Sequence, residues 1–220
     1  NRIIKAVCYD QLYYLKNKDW FKYENKTASE VIQMLADDFG LNAGTIADTG
    51  YKIPSRVEDG KTLFDIIQNA LDETVKNTGK MYVLYDKAGK LTLSDISDMK
   101  LGTLVFNDTA GDFEYKTSIA GSTYNKIRLL KDGAEPVTVR DSENIKRWGV
   151  LQYAEKVSDD NVNLTSMANS LLGLYNAKSR TLTVKNVLGD VRVRAGTLLP
   201  VVMDLGDMKI SNYMLVEQAK

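Results

Sequence analysis

Three features of the sequence predict an α+β protein. Residues 27–39, 62–75 and 164–175 repeat apolar side chains at helical spacing. From residue 80 onward most of the other signals have period two, the mark of strands with one covered face. Apolar residues make up 44% and charged residues 26% of the 220, the composition of a folded globular chain rather than a disordered one. The length suits one large domain or two small ones.

The first run, Arg2 to Tyr9, reads as a short strand, with Cys8 between Val7 and Tyr9 as a buried thiol. Asp10 is placed to cap one helical turn that buries Leu12 and Leu15. Thr27-Ala28-Ser29-Glu30 is a capping box, and Val31, Ile32, Met34, Leu35 and Phe39 then form an apolar face. Gly40 fits the left-handed stop. Thr62-Leu63-Phe64-Asp65 repeats the device with an aspartate, and Phe64, Ile67, Leu71 and Val75 follow at helical spacing beside Ile66 and Ala70. Gly79 ends that helix. The two helices are expected to pack as a pair, joined by a polar loop containing Gly44, Gly50 and Pro54.

Residues 80–85 and 90–94 flank Asp86-Lys87-Ala88-Gly89 and predict a hairpin. Strands are expected over 115–119, 124–130 and 137–139, the last two joined by a turn at Asp132-Gly133. Asp141 or Ser142 caps a short helix ending at Trp148-Gly149. Leu164, Met167, Ala168, Leu171, Leu172 and Tyr175 lie on one face of the most regular amphipathic helix in the chain. Further strands are expected over 181–185, 191–194, 198–203 and 213–217.

Several function classes are excluded by composition. The chain has no histidine, which removes Ser-His-Asp and Cys-His catalysis, histidine-ligated zinc and any histidine pH switch. Cys8 is the single cysteine, so neither an intrachain disulfide nor a cysteine metal cluster can form. Lys plus Arg and Asp plus Glu are 29 each, which leaves no net field to draw in nucleic acid or an anionic membrane. No apolar run approaches the ~20 residues of a bilayer span, and no signal-peptide core stands at the start. The opening Asn1-Arg2-Ile3 reads as the interior of a longer chain.

No phosphate-loop or EF-hand pattern is present. The carboxylate pairs Asp37-Asp38, Asp72-Glu73 and Asp159-Asp160 fall on helix surfaces or in loops and read as solvated charge. A glycosidase needs two carboxylates facing across a cleft, which sequence does not display. The densest basic stretch holds Lys178, Arg180, Lys185, Arg192 and Arg194. Val191-Arg192-Val193-Arg194 reads either as a half-buried strand with solvated arginines or as an arginine-lined surface facing a partner or a channel. Aromatic interleaving for nucleic acid is missing. Trp20-Phe21 and Tyr13-Tyr14 are read as core packing, with an exposed interface patch as the alternative.

The order and spacing of several stretches resemble the tail hub proteins of PBSX-type prophages, relatives of the late control gene D proteins and of contractile-tail baseplate hubs. The stretches are 6–12, 26–32, 50–56, 61–67, 79–86, 124–127 and 148–153. The most specific is Gly189-Asp190-Val191-Arg192-Val193-Arg194-Ala195-Gly196, joined by 212–217.

The resemblance implies a homotrimer whose protomers carry tube-like β-barrels around an α-containing domain and join the tail tube to the central spike. It divides the chain into residues 1–10, a remnant of the first barrel; 11–95, an α/β domain with helix pair and hairpin; and 96–220, a second tube-like β-barrel domain with one long helix. Arg192 and Arg194 then become candidates for an interface or lumen. The implied partners are tube and spike proteins, with no cofactor, no metal, no specific nucleic-acid recognition and no membrane. The implied location is the virion tail, or the bacterial cytoplasm during assembly. The alternative is a cell-wall hydrolase carried by the tail.

Overall fold

The computed structural model describes residues 4–102, 105–106, 112–158, 162–187, 189–204 and 209–220. The chain divides into two compact units, Asn1–Asp95 and Ile96–Lys220.

In the first unit, strand β1 (Lys18–Thr27) runs directly into helix α1 (Ala28–Asp38), and β3 (Lys52–Thr62) runs directly into α2 (Leu63–Thr78). Each junction is a complete capping box. The Glu30 amide donates to Thr27 Oγ1 at 3.2 Å and the Thr27 amide donates to Glu30 Oε2 at 2.8 Å. The Asp65 amide donates to Thr62 Oγ1 at 3.1 Å, and the Thr62 amide returns a bond of 3.3 Å to Asp65 Oδ2. Helix α1 ends in a Schellman arrangement: Gly40, at φ 62°, donates to Asp37 O, and Leu41 donates to Ala36 O at 2.8 Å. Strands β1 and β3 pair antiparallel. Strand β2 (Ala43–Ile46) pairs parallel with β5 (Leu91–Asp95), which also pairs antiparallel with β4 (Tyr82–Asp86). The β4–β5 turn places Ala88 at φ 52° and Gly89 at φ 78°, the double left-handed pair of a type I′ hairpin. Val31, Ile32, Leu35, Leu63, Ile66, Leu91 and Leu93 form the buried core.

In the second unit, β8 (Lys126–Leu130) lies between β9 (Val137–Arg140), antiparallel, and β10 (Gln152–Lys156), parallel. Helix α3 (Ser142–Trp148) is capped by Asp141, whose Oδ1 accepts from the amides of Glu143 and Asn144 at 2.9 and 3.0 Å. Helix α4 (Leu164–Tyr175) packs Met167, Ala168 and Leu171 against Ile127 and Leu129. Buried Asn125 fixes the entry to β8: its Nδ2 donates to Gly149 O at 2.8 Å, and its Oδ1 accepts from the Leu151 amide at 2.9 Å. A separate core of Val201, Met203 and Ile210 joins the ribbon of β7 (Asp112–Ser118) and β11 (Ser179–Lys185) to the sheet of β6 (Val105–Phe106), β12 (Leu198–Asp204) and β13 (Lys209–Leu215).

Several expectations are corrected. The described strands form small separate sheets and no closed barrel, because the β7–β11 ribbon and the β12–β13 sheet share apolar contacts without a ladder joining them. Residues 4–10 have no regular structure and no described strand pairs with them, so Cys8 is exposed. Asp10 makes no side-chain cap; the turn Gln11–Lys16 is held by Asp10 O, which accepts from the Tyr13 amide at 3.2 Å. The expected polar loop around Gly44 and Pro54 contains β2 and β3. The buried face of α2 is Leu63, Ile66, Ile67, Ala70, Leu71 and Thr74, which leaves Phe64 exposed. Trp20, Tyr13 and Tyr14 are also exposed, and of that aromatic set Phe21 packs against the core. The last strand falls at Lys209–Leu215 rather than 213–217.

Candidate assembly surface

Strand β12 has two unlike faces. Leu199, Val201 and Met203 point into the core, while Leu198, Pro200 and Val202 share the other parity. Across the ladder these meet Leu215, Tyr213 and Ser211 of β13. The outer face therefore holds two cross-strand pairs of apolar or aromatic residues, Leu198–Leu215 and Pro200–Tyr213, and then Val202 beside Ser211, with Val202, Tyr213 and Leu215 exposed. The Lys100 ammonium sits 5.3 Å from the centre of the Tyr213 ring, a cation–π contact at the border of this face. Strand β13 is an edge of its sheet. The sequence carried a signal for this surface: Leu198-Leu199-Pro200-Val201-Val202-Met203 is apolar at both parities, the pattern of a strand covered on both sides.

Arg192 and Arg194 lie on the loop that enters β12, and residues 191–194 form no strand. The Asp190 carboxylate takes the place of a ladder partner. Its Oδ1 accepts from the Arg192 amide at 2.9 Å and from Nε at 3.0 Å, while Oδ2 accepts from Nη2 at 2.7 Å. This hydrogen bonding, then the Asp190 charge, raises the Arg192 guanidinium further above its ordinary value. Val191 is fully exposed at the turn, so it does not fill an interior. Arg194 is half-buried, and its carbonyl accepts from Thr197 Oγ1 at 2.7 Å. The loop is stitched to β13 by the Gly196 amide on Val216 O and the Val216 amide on Thr197 O, each 2.8 Å. Both arginines thus stand at the Leu198–Leu215 end of the apolar face.

The carboxylate pairs are placed as surface groups where they are described. Asp37 accepts from Gln33 and Asp72 from Gln68, each four residues back on its own helix. Glu73 pairs with Arg56 at 3.3 Å and Lys76 at 3.8 Å. Asp159-Asp160 lies outside the described residues. Among the described residues no group of His, Cys, Asp or Glu is arranged to hold a metal ion, and no helix is long and apolar enough to cross a membrane.

Two polar clusters are partly or wholly withdrawn from water. Glu58, 3% exposed, accepts from Arg56 Nε at 2.8 Å and from Asn69 Nδ2 at 3.0 Å. Beside it the buried Tyr23 hydroxyl has no hydrogen-bond partner among the described residues. Burial pushes that hydroxyl up to about 12, with Arg56 opposing and Glu58 and Glu73 adding to the rise. In the second unit Tyr124, Tyr153 and Tyr175 pack with ring centroids 5.4–5.8 Å apart. Burial first, then its hydrogen bond to Glu155, raises the Tyr153 hydroxyl. Each cluster joins elements within one unit.

The fold is that of phage tail proteins. It matches the prophage MuSo2 43 kDa tail protein from Shewanella oneidensis with a TM-score of 0.64 and 17% identity, over 94% of this chain and 66% of that one. It also matches the prophage tail protein gp18 from Listeria monocytogenes EGD-e with a TM-score of 0.51 and 15% identity, over 93% and 62%. The YQBQ-like family model matches residues 1–220, and the chain belongs to that family. Two relatives come from Bacillus subtilis (strain 168). The phage-like element PBSX protein XkdQ is 33% identical over 216 residues, 95% of this chain and 66% of its own length. The uncharacterized protein YqbQ is 43% identical over 161 residues, 70% of this chain and 49% of its own length. The chain thus spans about half of one curated relative and just under two thirds of the other.

Proposed function

We propose that this chain is a structural part of a phage or phage-like contractile tail, acting as the hub that joins the tail tube to the central spike. The observation that carries the reading is the exposed apolar face of β12 and β13 in a chain whose fold is that of tail proteins. An outer sheet face of Leu, Pro, Val and Tyr is costly to leave in water and suits burial against a neighbouring protomer. The assembly proposed is a homotrimer formed through this face, with Arg192 and Arg194 at its border toward a neighbour or the lumen. Tube and spike proteins are the proposed partners, and the virion tail is the proposed location.

The test is the mass of the full-length protein in solution, alone and with its tube and spike proteins. A three-fold species is expected. Val202→Glu places a charge in the contact and should leave monomers with an unchanged melting curve, because that side chain points away from the core. Charge reversal of Arg192 and Arg194 should impair assembly at normal stability. A protein that stays monomeric at high concentration and with both partners overturns the reading. So does a clear band on peptidoglycan zymography that vanishes on substitution of one Asp or Glu.

A further inference from the structure

The sheet of β8, β9 and β10 in the second unit has one covered face and one open face. Helix α4 packs on the side that holds Ile127 and Leu129. The opposite parity gathers four cations, Lys126, Arg128, Arg140 and Lys156, with Leu130 and Ala154 among them. Its two remaining positions are the uncharged Thr138 and Gln152. All of these side chains are exposed except Lys126, which is half-buried. The open face therefore carries no acidic and no aromatic residue.

The register concentrates the charge. Lys126 stands directly opposite Arg140, and Arg128 follows on the same side of β8, about 6.7 Å from Lys126. Like charges directly opposite on a ladder destabilise it, a cost that an anion laid over the pair reverses. The nearby acids are engaged elsewhere or lie in the turn. Asp132, in the β8–β9 turn, pairs with Lys156 at 2.9 Å, and Glu135 lies in the same turn as Lys131. Asp141 follows Arg140, but its oxygens accept from the α3 amides and from Asn176. Glu143 pairs with Lys146 at 3.0 Å. Glu155 has the inner parity and accepts from the Tyr153 hydroxyl. No described carboxylate pairs with Lys126, Arg128 or Arg140.

Charge and cover together select the partner. A helix laid on an open sheet face is the standard second layer of a domain that mixes helices and strands. Helix residues four apart are separated by about 6 Å along the axis, close to the Lys126–Arg128 spacing. Apolar side chains between such carboxylates would cover Leu130 and Ala154. Nucleic acid is the competing anion. The open face offers no ring on which a base could stack, and phosphates would leave Leu130 and Ala154 in water.

We propose that this face binds an acidic amphipathic helix of a partner protein, laid on the side of the sheet away from α4. The proposal goes beyond the trimer reading and uses a different surface of the second unit. The probe is a fluorescently labelled helical peptide of Ala, Leu and Glu, with glutamates four residues apart along one face. Its controls are the same peptide with Gln for Glu and a labelled DNA duplex.

Anisotropy should show the acidic peptide binding at low salt and released at high salt. Arg128→Glu/Arg140→Glu should weaken binding about tenfold or more. Arg140→Glu alone makes the pair with Lys126 attractive, so it should melt at or above the wild-type temperature while binding less peptide. A wild-type chain that does not bind the acidic peptide overturns the proposal. So does equal binding of the glutamine peptide, a duplex bound in preference to the peptide, or binding that survives Arg128→Glu/Arg140→Glu. Val202→Glu should leave peptide binding unchanged. Peptide binding by a full-length protein that never forms a three-fold species would overturn the trimer reading alone.

Discussion

Thr27 and Thr62 occupy equivalent positions at opposite ends of one antiparallel ribbon. Each is the last residue of its strand and the N-cap of the helix that follows, Thr27 opposite Lys52 and Thr62 opposite Lys18. The ribbon and both helices are therefore continuous backbone, and each threonine oxygen satisfies an amide that the helix leaves unpaired. Thr27→Ala and Thr62→Ala should each lower stability by about 1 kcal/mol, read as a loss in urea midpoint at unchanged slope.

The acidic partners of these caps predict the pH dependence. The Thr27 amide holds the Glu30 carboxyl below its usual value, and the Thr62 hydroxyl does the same for Asp65. The Asn144 amide, then the Asn176 side chain, lowers Asp141. A folded value below the unfolded one means that the unfolded chain binds the proton more tightly. The stabilisation is present above the ordinary carboxylate range of about 3.9–4.3 and is lost as pH falls through the depressed native values. A Glu30→Gln/Asp65→Asn/Asp141→Asn chain should show a shallower loss of melting temperature on acidification. An acid limb as steep as wild type would count against the caps.

Glu58 is the buried charged residue among the described residues of the first unit. Glu58→Ala leaves Arg56 and Asn69 without their shared acceptor. The cost should be about 2–3 kcal/mol, below that of a fully buried pair because Arg56 keeps some solvent contact. Adding Arg56→Met should recover part of the loss, since an apolar replacement needs no partner. A double-mutant cycle in urea reads the coupling directly.

Leu171 is fully buried between α4 and the β8–β9 sheet. Leu171→Ala should cost about 2–5 kcal/mol. Calorimetry should show the transition of the second unit moving down while that of the first stays in place.

Gly44 has no room for a side chain. A Cβ there would stand 2.9 Å from Thr92 Oγ1 and 3.1 Å from Leu91 O. The hydroxyl can turn aside, but the carbonyl belongs to the β2–β5 pairing and cannot. Gly44→Ala should therefore cost about 1–3 kcal/mol and raise amide exchange along β5, measured by hydrogen–deuterium exchange.

The helices were legible because their signals are local. Thr27 and Glu30, Thr62 and Asp65, and the spacing of Leu164 to Tyr175 lie within a few residues of the bonds they make. Strands β1 and β3 were not legible. Asn25, Pro54, Asp59 and Gly60 are residues that local rules assign to loops, yet the ladder passes them. Pro54 lies opposite Asn25, between the Glu24–Ser55 and Lys26–Ile53 pairs, so no registered pair depends on its missing amide. At 191–194 the error ran the other way. Alternating valine and arginine predicted a strand, but Asp190 offered the Arg192 amide a nearer acceptor, and a short-range turn won over a ladder. The outer face of β12 left a trace in the sequence as apolar residues at both parities, while its cross-strand partners on β13 came from the fold.

The ribbon also fixes the order in which the first unit folds. Pairing Thr27 with Lys52 closes 25 residues, whereas pairing Lys18 with Thr62 closes 44, so the entropic cost is lower at the Thr27 end by about 0.5 kcal/mol. The shorter loop also contains α1, which its own box and glycine stop help to nucleate before any long-range contact exists. Zippering should begin at Thr27 and finish at Thr62. Two threonines with the same chemistry and similar equilibrium cost should then separate kinetically: Thr27→Ala slows refolding, while Thr62→Ala mainly speeds unfolding.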